Sequence, residues 1–259
     1  MRVHAIQLET SLSETPADRV ARAAALVREQ SGADLVVLPE LWVQGGFAFG
    51  SFAATAEALD GPVVTALADA ARELGAWLHG GSIVERADDG RLFNTSVLIR
   101  PDGTLAATYR KIHLFGFAGG ETKVLTAGSD VVTADIDGIT VAMATCYDLR
   151  FPELFRAFVD AGAELFLLPA AWPTPRIGHW SLLARARAIE DQAFVIALNG
   201  CGDQGGVTLG GRSAVVDPWG AVLAEGGDDE QVLVVDIDLA QVPKVRADFP
   251  VLLDRRLGR

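Results

Sequence analysis

Residues 139–154 read ITVAMATCYDLRFPEL, an apolar run that changes into a polar turn. The β-branched and aliphatic first half predicts a buried strand over residues 139–145. Pro152 predicts a helix over residues 152–160, because proline is well tolerated in the first helical turn. Cys146 therefore stands between a strand and a helix. A helix N-terminus or a nearby cation lowers the pKa of a thiol, although a lone cysteine is more often a small buried apolar residue.

Two further strand patterns end in groups that can take part in chemistry. Residues 34–40 read DLVVLPE and end at Glu40, and residues 109–115 read YRKIHLF and carry Lys111. Ligands of open α/β sheets bind beyond the carboxyl ends of the strands. Glu40, Lys111 and Cys146 each fall at such a position, which predicts one site built from all three.

These three segments together resemble the nitrilase, or carbon–nitrogen hydrolase, superfamily. The catalytic set of that family is a glutamate, a lysine and a cysteine in this chain order. The matching motifs are LPE at 38–40, YRKIHLF at 109–115 and CYDLRFPE at 146–153. Glu121 is similar to the family's second glutamate, and the segments ARARAIEDQ at 184–192 and SAVVDPWG at 213–220 also match. The resemblance covers nearly the whole chain.

The resemblance implies an α/β fold: a four-layer α-β-β-α sandwich in a single carbon–nitrogen hydrolase domain spanning residues 1–259. The sequence itself argues against an all-parallel sheet, because hairpin signals such as Asp137-Gly138 alternate with strand–helix units. Thr15-Pro16 predicts the start of a helix in an opening β-α-β unit. We also predict a strand over residues 105–112, which carries Lys111, and a helix over residues 179–191.

The composition restricts the compartment and the class of partner. The 259 residues carry a formal net charge of −12, which argues against a broad electrostatic footprint for nucleic acid or an anionic membrane. No apolar run reaches the ~18 residues of a membrane span, and the N-terminus begins as a strand rather than a signal peptide. Cys146 and Cys201 are the only cysteines and give no disulfide framework. We therefore expect a cytoplasmic protein with no nucleic-acid or membrane partner.

The resemblance implies hydrolysis of a small carboxamide, with water as the second substrate, through a cysteine acyl-enzyme. Glu40 would take the thiol proton, and Cys146 would attack the amide carbon. Lys111 and the backbone N–H of Tyr147 would stabilise the oxyanion. Glu40 would then protonate the departing ammonia and later activate water. Glu121 would orient Lys111 or the substrate amide nitrogen.

Other residues near these motifs are candidates for binding or for structural roles. Arg150 is a candidate partner for a substrate carboxylate, although pairing with an acidic neighbour is the commoner fate of an arginine beside a helix start. Trp172 and Arg176, in a proline-rich loop, are candidates for the pocket wall. We expect Asp148 to cap the following helix and Cys201 to be a core thiol.

Three alternative kinds of site were weighed. His113 lies two residues after Lys111, so a thiol–imidazole pair is conceivable, but Lys111 and Glu40 would then have no role. The segment GCGDQG at 200–205 fits a dinucleotide-binding fingerprint, but the residues after it cannot form the helix N-terminus that holds a pyrophosphate. No His-Glu-x-x-His or paired-cysteine spacing indicates a metal. We expect neither a metal nor a cofactor.

The motifs at 109–115 and 146–153 are most similar to the ω-amidase branch, which releases ammonia from short dicarboxylic monoamides such as 2-oxoglutaramate. Deaminated glutathione, N-carbamoyl amines and nitriles are alternative substrates, and acyl transfer to an amine or a lipid is an alternative reaction. A catalytically silent interaction module is a further alternative, which the complete Glu40–Lys111–Cys146 set argues against. The resemblance also implies a homodimer or larger homo-oligomer, with contacts near the Cys146 helix and the C-terminal segment.

Overall fold

A computed structural model of the protein describes residues 1–204 and 206–257, so Gly205 and residues 258–259 lie outside the description. The strands are β1 (Arg2–Gln7), β2 (Leu35–Val37), β3 (Trp77–Arg86), β4 (Leu92–Ile99), β5 (Leu105–Arg110), β6 (Thr133–Ile136), β7 (Ile139–Met143), β8 (Leu165–Ala170), β9 (Phe194–Asn199), β10 (Cys201–Asp203), β11 (Thr208–Gly210), β12 (Ala214–Val216), β13 (Val222–Glu225) and β14 (Gln231–Asp236). The α-helices are α1 (Pro16–Arg28), α2 (Phe52–Thr55), α3 (Pro62–Leu74), α4 (Pro152–Asp160), α5 (Ile177–Asp191) and α6 (Gln241–Asp248). None of the described helices is long and apolar enough to cross a bilayer.

Two six-stranded sheets and one small hairpin account for the strands of the described residues. The first sheet has the order β14-β1-β2-β3-β4-β5, and the second has the order β13-β12-β9-β8-β7-β6. In each sheet the central strands run parallel, as in the pairs β1/β2 and β8/β9, whereas the outer strands pair antiparallel. The mixed topology follows from the alternation of strand–helix units with tight hairpins.

The two sheets pack face to face, with side chains from alternate strand positions meeting between them. Burial of a large aliphatic or aromatic side chain contributes roughly 1.5–3 kcal/mol, so this inner layer holds the sheets together. The first sheet contributes Val3, Ala5, Leu35, Val37 and Leu98, and the second contributes Val141, Met143, Leu165, Leu167, Phe194 and Ile196.

Helices cover the outer face of each sheet. Val36 of β2 points away from the inner layer and packs with Val27 of α1 and Leu67 of α3. On the second sheet, Phe166 of β8 packs with residues of α4 and α5, including Phe155 and Trp180. The expected four-layer α-β-β-α fold class is therefore confirmed, and the apolar run of β2 reflects burial on both faces.

Most predicted elements are confirmed, and their boundaries show where tertiary contacts override local pattern. Helix α4 occupies the predicted range, and α1 begins at Pro16 with Thr15 as its N-cap. Helix α5 begins at Ile177 rather than residue 179. Strand β7 ends at Met143 rather than residue 145. Strand β5 ends at Arg110 rather than residue 112, because Gly128 packs against this segment, donating its N–H to Lys111 O at 2.9 Å.

The described part of the segment that fits the dinucleotide fingerprint contains β10, one strand of a β-hairpin. Strand β10 pairs antiparallel with β11, with Cys201 opposite Gly210 and Asp203 opposite Thr208. No helix begins after the glycines in the described part of this segment, where the chain continues into β11. The interpretation that this segment does not hold a dinucleotide is consistent with this geometry.

Candidate active site

Glu40 lies three residues beyond β2, in a turn that packs closely on β3. The Pro39 carbonyl oxygen lies where a side chain at Gly81 would be, 1.8 Å from the position of a built Cβ, and Gly81 has a φ of +68°. Only glycine fits this close approach. The Leu41 N–H donates to Ser82 O at 3.0 Å. These contacts hold the Glu40 carboxylate beneath the end of the first sheet.

Lys111 follows the last residue of β5, and its ammonium group is buried between two carboxylates. Its Nζ donates to Glu40 Oε1 at 2.7 Å and to Glu121 Oε2 at 2.8 Å. Asn94 Nδ2 bridges the same two carboxylates, at 2.7 Å from Glu40 and 2.8 Å from Glu121. The remaining Glu40 oxygen accepts from Ala171 N–H at 2.8 Å. The cluster is thus almost fully hydrogen-bonded, as buried charges require.

The buried charges of this cluster shift the pKa of its members. Burial lowers the pKa of the Lys111 ammonium, but the charges of Glu121 and Glu40 outweigh this effect, and the pKa is raised well above its ordinary value. Burial raises the pKa of Glu121, in opposition to the nearby ammonium. Lys111 therefore stays charged, which makes it a fixed cation for a neighbouring anion.

Cys146 begins a short 3-10 helix, Cys146–Arg150, between β7 and α4, and its φ is +49°. A positive φ is rare for a residue with a Cβ and marks a constrained turn. Burial, followed by the charge of Glu40, raises the pKa of the Cys146 thiol well above its ordinary value. The desolvation and the nearby carboxylate outweigh the favourable charge of Lys111. Cys146 therefore rests as a thiol beside Glu40.

One cavity is lined by the residues that the sequence singled out. Aromatic side chains form much of the wall, among them Phe47 and Phe115. All eight candidate site residues line the cavity, namely Glu40, Lys111, Glu121, Cys146, Tyr147, Arg150, Trp172 and Arg176.

The two arginines of the cavity are held by aromatic rings rather than by acids. The Arg150 guanidinium lies 4.7 Å from the centre of the Trp172 ring and 3.3 Å from His179 Nδ1. The Arg176 guanidinium lies 5.4 Å from the centre of the Phe115 ring. Among the described residues, neither guanidinium forms a salt bridge with a carboxylate. Arg150 therefore does not form the expected pair with an acidic neighbour among the described residues.

The structure assigns His113, Asp148 and Cys201 to structural settings. His113 Nδ1 lies 2.7 Å from Asp148 Oδ1, and its ring stacks on Phe151. This geometry does not form a thiol–imidazole pair. Asp148 forms a capping box with Thr145 at the start of the 3-10 helix that contains it. The N-cap of α4 is Phe151, which makes no side-chain capping bond, so the expectation that Asp148 caps the following helix is wrong.

Cys201 is buried in the core, as expected. Burial raises the pKa of its thiol to about 12, which keeps it protonated at neutral pH. Within residues 1–204 and 206–257, no group of three or more His, Cys, Asp and Glu side chains is placed to hold a metal ion.

A sequence profile of the carbon–nitrogen hydrolase family matches residues 2–247. This chain belongs to that family. The family member 2-oxoglutaramate amidase of Paenarthrobacter nicotinovorans is 44% identical over 98% of this chain and 89% of its own length. The omega-amidase NIT2 of Homo sapiens is 37% identical, over 98% of this chain and 95% of its own length.

Solved structures of carbon–nitrogen hydrolases share the fold. The superfamily protein XC1258 from Xanthomonas campestris, crystallised with an arsenic adduct in its active site, has a TM-score of 0.93 and 34% identity, covering 100% of this chain and 98% of its own. The amidase from Nesterenkonia sp. AN1 has a TM-score of 0.83 and 28% identity, covering 98% and 99%. Acrylamide is added to the active-site cysteine of that amidase.

Sequence reasoning missed three groups that shape this carbon–nitrogen hydrolase site. Asn94 bridges both glutamates, and its only sequence signal is a polar residue inside the apolar strand β4. The Ala171 N–H that binds Glu40 has no sequence signal, because any residue carries that donor. His179, which contacts Arg150, lies on α5 and was likewise not predicted as part of the site.

Replacing Glu40 by Gln tests the electrostatic description of Cys146. Glu40 raises the pKa of the thiol both by its charge and by its hydrogen bond. Its loss should therefore lower that pKa and move the pH profile of Cys146 alkylation by iodoacetamide down by about 1 unit or more. Mass spectrometry of the Cys146 peptide measures the rate at each pH.

Glu57→Gln is the matched control for Glu40→Gln, because Glu57 caps α3 by accepting from Val63 N–H rather than joining the buried cluster. Its alkylation profile should coincide with that of the unmodified protein. An unchanged or upward-moved profile in Glu40→Gln would contradict the assigned cause.

Proposed function

We propose that this chain hydrolyses the carbon–nitrogen bond of a small carboxamide, the ω-amide of a short dicarboxylate such as 2-oxoglutaramate. The observation that carries the proposal is the buried Glu40–Lys111–Cys146 cluster at one cavity. The relatives named 2-oxoglutaramate amidase and omega-amidase support the substrate class. The active unit proposed is one carbon–nitrogen hydrolase domain spanning residues 1–259, since the family match covers most of this range.

The first half of the reaction forms a thioester and releases ammonia. The Glu40 carboxylate takes the Cys146 thiol proton as the sulfur attacks the amide carbon. Lys111 and the Tyr147 backbone N–H stabilise the oxyanion of the tetrahedral intermediate. When the C–N bond breaks, the proton on Glu40 passes to the amide nitrogen, and ammonia leaves.

The second half of the reaction consumes water. Glu40, again a carboxylate, removes a proton from water as the oxygen attacks the thioester carbon. The second tetrahedral intermediate expels the Cys146 sulfur, which recovers its proton from Glu40, and the carboxylic acid leaves. Because the Cys146 thiol starts protonated beside Glu40, one carboxylate serves both halves. Glu121 holds Lys111 in place throughout, at 2.8 Å.

The distal carboxylate of the substrate is assigned to Arg150, with Arg176 and the Trp172 ring completing the wall. The Arg150 guanidinium faces the same cavity as Cys146 and forms no salt bridge among the described residues. The chain carries a formal net charge of −12, so a guanidinium without an acidic neighbour is unusual here. Charge-assisted, bidentate pairing with a carboxylate satisfies such a group.

We also propose a homodimer in the cytoplasm. Exposed apolar side chains lie on α5 and beside the C-terminal segment, namely Leu182, Ile189, Trp219 and Phe249, and the last two stack at 6.2 Å between ring centres. Burying such a patch in a second copy of the chain would remove it from water. We propose the cytoplasm because the reaction needs Cys146 in its reduced form, which a reducing compartment maintains. Cell fractionation tests this location.

The reaction is tested by ammonia release from 2-oxoglutaramate, succinamate, glutamine, a carbamoyl amine and an aliphatic nitrile, and by hydrolysis of deaminated glutathione. The two dicarboxylic monoamides should be the best substrates, and Cys146→Ala should abolish turnover because the nucleophile is lost. Cys201→Ala is the control and should keep its activity. Turnover that survives in Cys146→Ala would refute the cysteine mechanism, whereas faster nitrile or carbamoyl turnover would refute only the substrate assignment.

The carboxylate assignment predicts a substrate-dependent effect of Arg150→Met. KM for succinamate should rise about 10–100-fold, because a charge-assisted pair of about 1.5–3 kcal/mol is lost. Butyramide, which has the same length but lacks the carboxylate, should be hydrolysed with little change in kcat/KM.

Arg100→Met is the control for Arg150→Met, since Arg100 donates to Leu105 O in an exposed hairpin. Equal losses on succinamate and butyramide in Arg150→Met would mean that Arg150 supports the site without binding the carboxylate.

The dimer is tested by light scattering of the purified chain. The mass should be twice that of one chain, and Leu182→Asp combined with Ile189→Asp should halve it by placing charges in the apolar contact. Val131→Asp is a control at another exposed apolar side chain. A monomeric mass for the unmodified protein at micromolar concentration would contradict the proposal.

A further inference from the structure

Asp148 is a fully buried carboxylate that accepts four hydrogen bonds. Its Oδ2 accepts from the Tyr109 hydroxyl at 2.7 Å and from Thr145 N–H at 2.9 Å. Its Oδ1 lies 3.0 Å from His113 N and 2.7 Å from His113 Nδ1. Burial and the charge of Asp148 raise the pKa of the Tyr109 phenol, which therefore remains a donor. Four donors saturate the acceptor capacity of one carboxylate.

These donors come from the two chain segments that carry the proposed lysine and the proposed nucleophile. Tyr109 and His113 lie two residues before and two residues after Lys111. Thr145 immediately precedes Cys146. The single carboxylate of Asp148 thus connects the residues on both sides of Lys111 to the turn that carries Cys146.

Several other bonds restrain the lysine segment at this point. Strand β5 ends at Arg110, and the Lys111 ammonium binds Glu40 and Glu121. The Lys111 backbone keeps one bond to Asn94 O and one from Gly128 N–H, both at 2.9 Å. The Tyr109 hydroxyl forms a further hydrogen bond in this segment by accepting from Ile112 N–H at 3.2 Å. The hydrogen bonds that converge on Asp148 therefore add restraints on both sides of Lys111 to those made by its own backbone and ammonium group.

The cysteine turn needs the same carboxylate for a different reason. Cys146 holds a positive φ, a conformation that a residue with a Cβ adopts only when its surroundings impose it. The Thr145 N–H to Asp148 bond and the Asp148 N–H to Thr145 O bond, at 3.1 Å, close the turn around Cys146. The capping box accounts for these bonds but not for the bonds from Tyr109 and His113.

We propose that Asp148 is a positioning residue that couples Lys111 to Cys146, and that Tyr109 and His113 act through it. The inference rests on the proposed function, in which Lys111 serves the thiolate and the oxyanion. A carboxylate that only capped the turn would need the Thr145 bonds alone. The added bonds fix the lysine segment against the cysteine turn and so set the approach of the ammonium to the sulfur.

Tyr109→Phe and His113→Ala test this coupling, because each removes one of the lysine-side bonds made by a side chain, the Tyr109 hydroxyl or the His113 ring, and leaves the capping box intact. With Lys111 less well placed, kcat on succinamate should fall about tenfold or more while KM stays within about twofold, since small misplacements cost rate rather than binding. The pH profile of Cys146 alkylation should also move to higher pH, because the cation that favours the thiolate is displaced.

Ser96→Ala is the matched control. Ser96 Oγ lies 2.9 Å from Thr145 Oγ1, so this substitution perturbs the same turn without touching Asp148. It should lower the melting temperature while leaving the kcat and the alkylation profile as in the unmodified protein. A structural role alone would make all three variants behave alike.

The alkylation readout separates the two proposals. Folded Tyr109→Phe and His113→Ala proteins with unchanged kcat and unchanged alkylation profiles would overturn the coupling. A second outcome is that the alkylation profiles of the two variants move, while the unmodified protein hydrolyses none of the amides. This outcome would support the coupling and refute the proposed function. Asp148→Asn, which retains one acceptor oxygen for four donors, should exceed either single variant in its alkylation shift, and a smaller shift would also overturn the coupling.

Discussion

The buried ammonium of Lys111 lies between two carboxylates, and the site depends on this arrangement. Side chains of Lys111, Glu40 and Glu121 are between 1% and 3% exposed, so water does not solvate their charges. An ion placed in such an interior without partners would cost several kcal/mol. Here the two glutamates, the Asn94 amide and backbone N–H groups replace water. Burial, followed by the charge of Glu40, raises the pKa of the neighbouring Cys146 thiol and keeps it protonated.

The face-to-face packing of two sheets brings this cluster together. Glu40 and Lys111 follow strands of the first sheet, whereas Cys146 follows β7 of the second. The Ala171 N–H, at the end of β8 in the second sheet, binds Glu40 directly. The inner apolar layer therefore fixes the geometry of the proposed reacting groups as well as the stability of the fold. Rigid strands and their ends support such precision better than free loops.

Acidic and basic side chains lie on different parts of the cavity lining. The Glu40–Lys111–Glu121 cluster lies beside Cys146. The guanidinium groups of Arg150 and Arg176 each lie against an aromatic ring. A substrate with an amide at one end and a carboxylate at the other is complementary to both. Aromatic support leaves the guanidinium donors available, since a cation–π contact uses the ring face and not the N–H groups.

The sequence alone predicted where several elements begin and which residues form the candidate site, because those signals are local. Pro152 starts α4, and Asp137-Gly138 forms a hairpin turn with φ values of 52° and 89°, as their chemistry requires. Three short motifs identified Glu40, Lys111 and Cys146 as one set. Only the tertiary structure decided the direction of the Cys146 pKa shift and the bridging role of Asn94. The pKa of a buried group depends on desolvation and on charges that come from segments distant in the chain, so no local sequence pattern can reveal it.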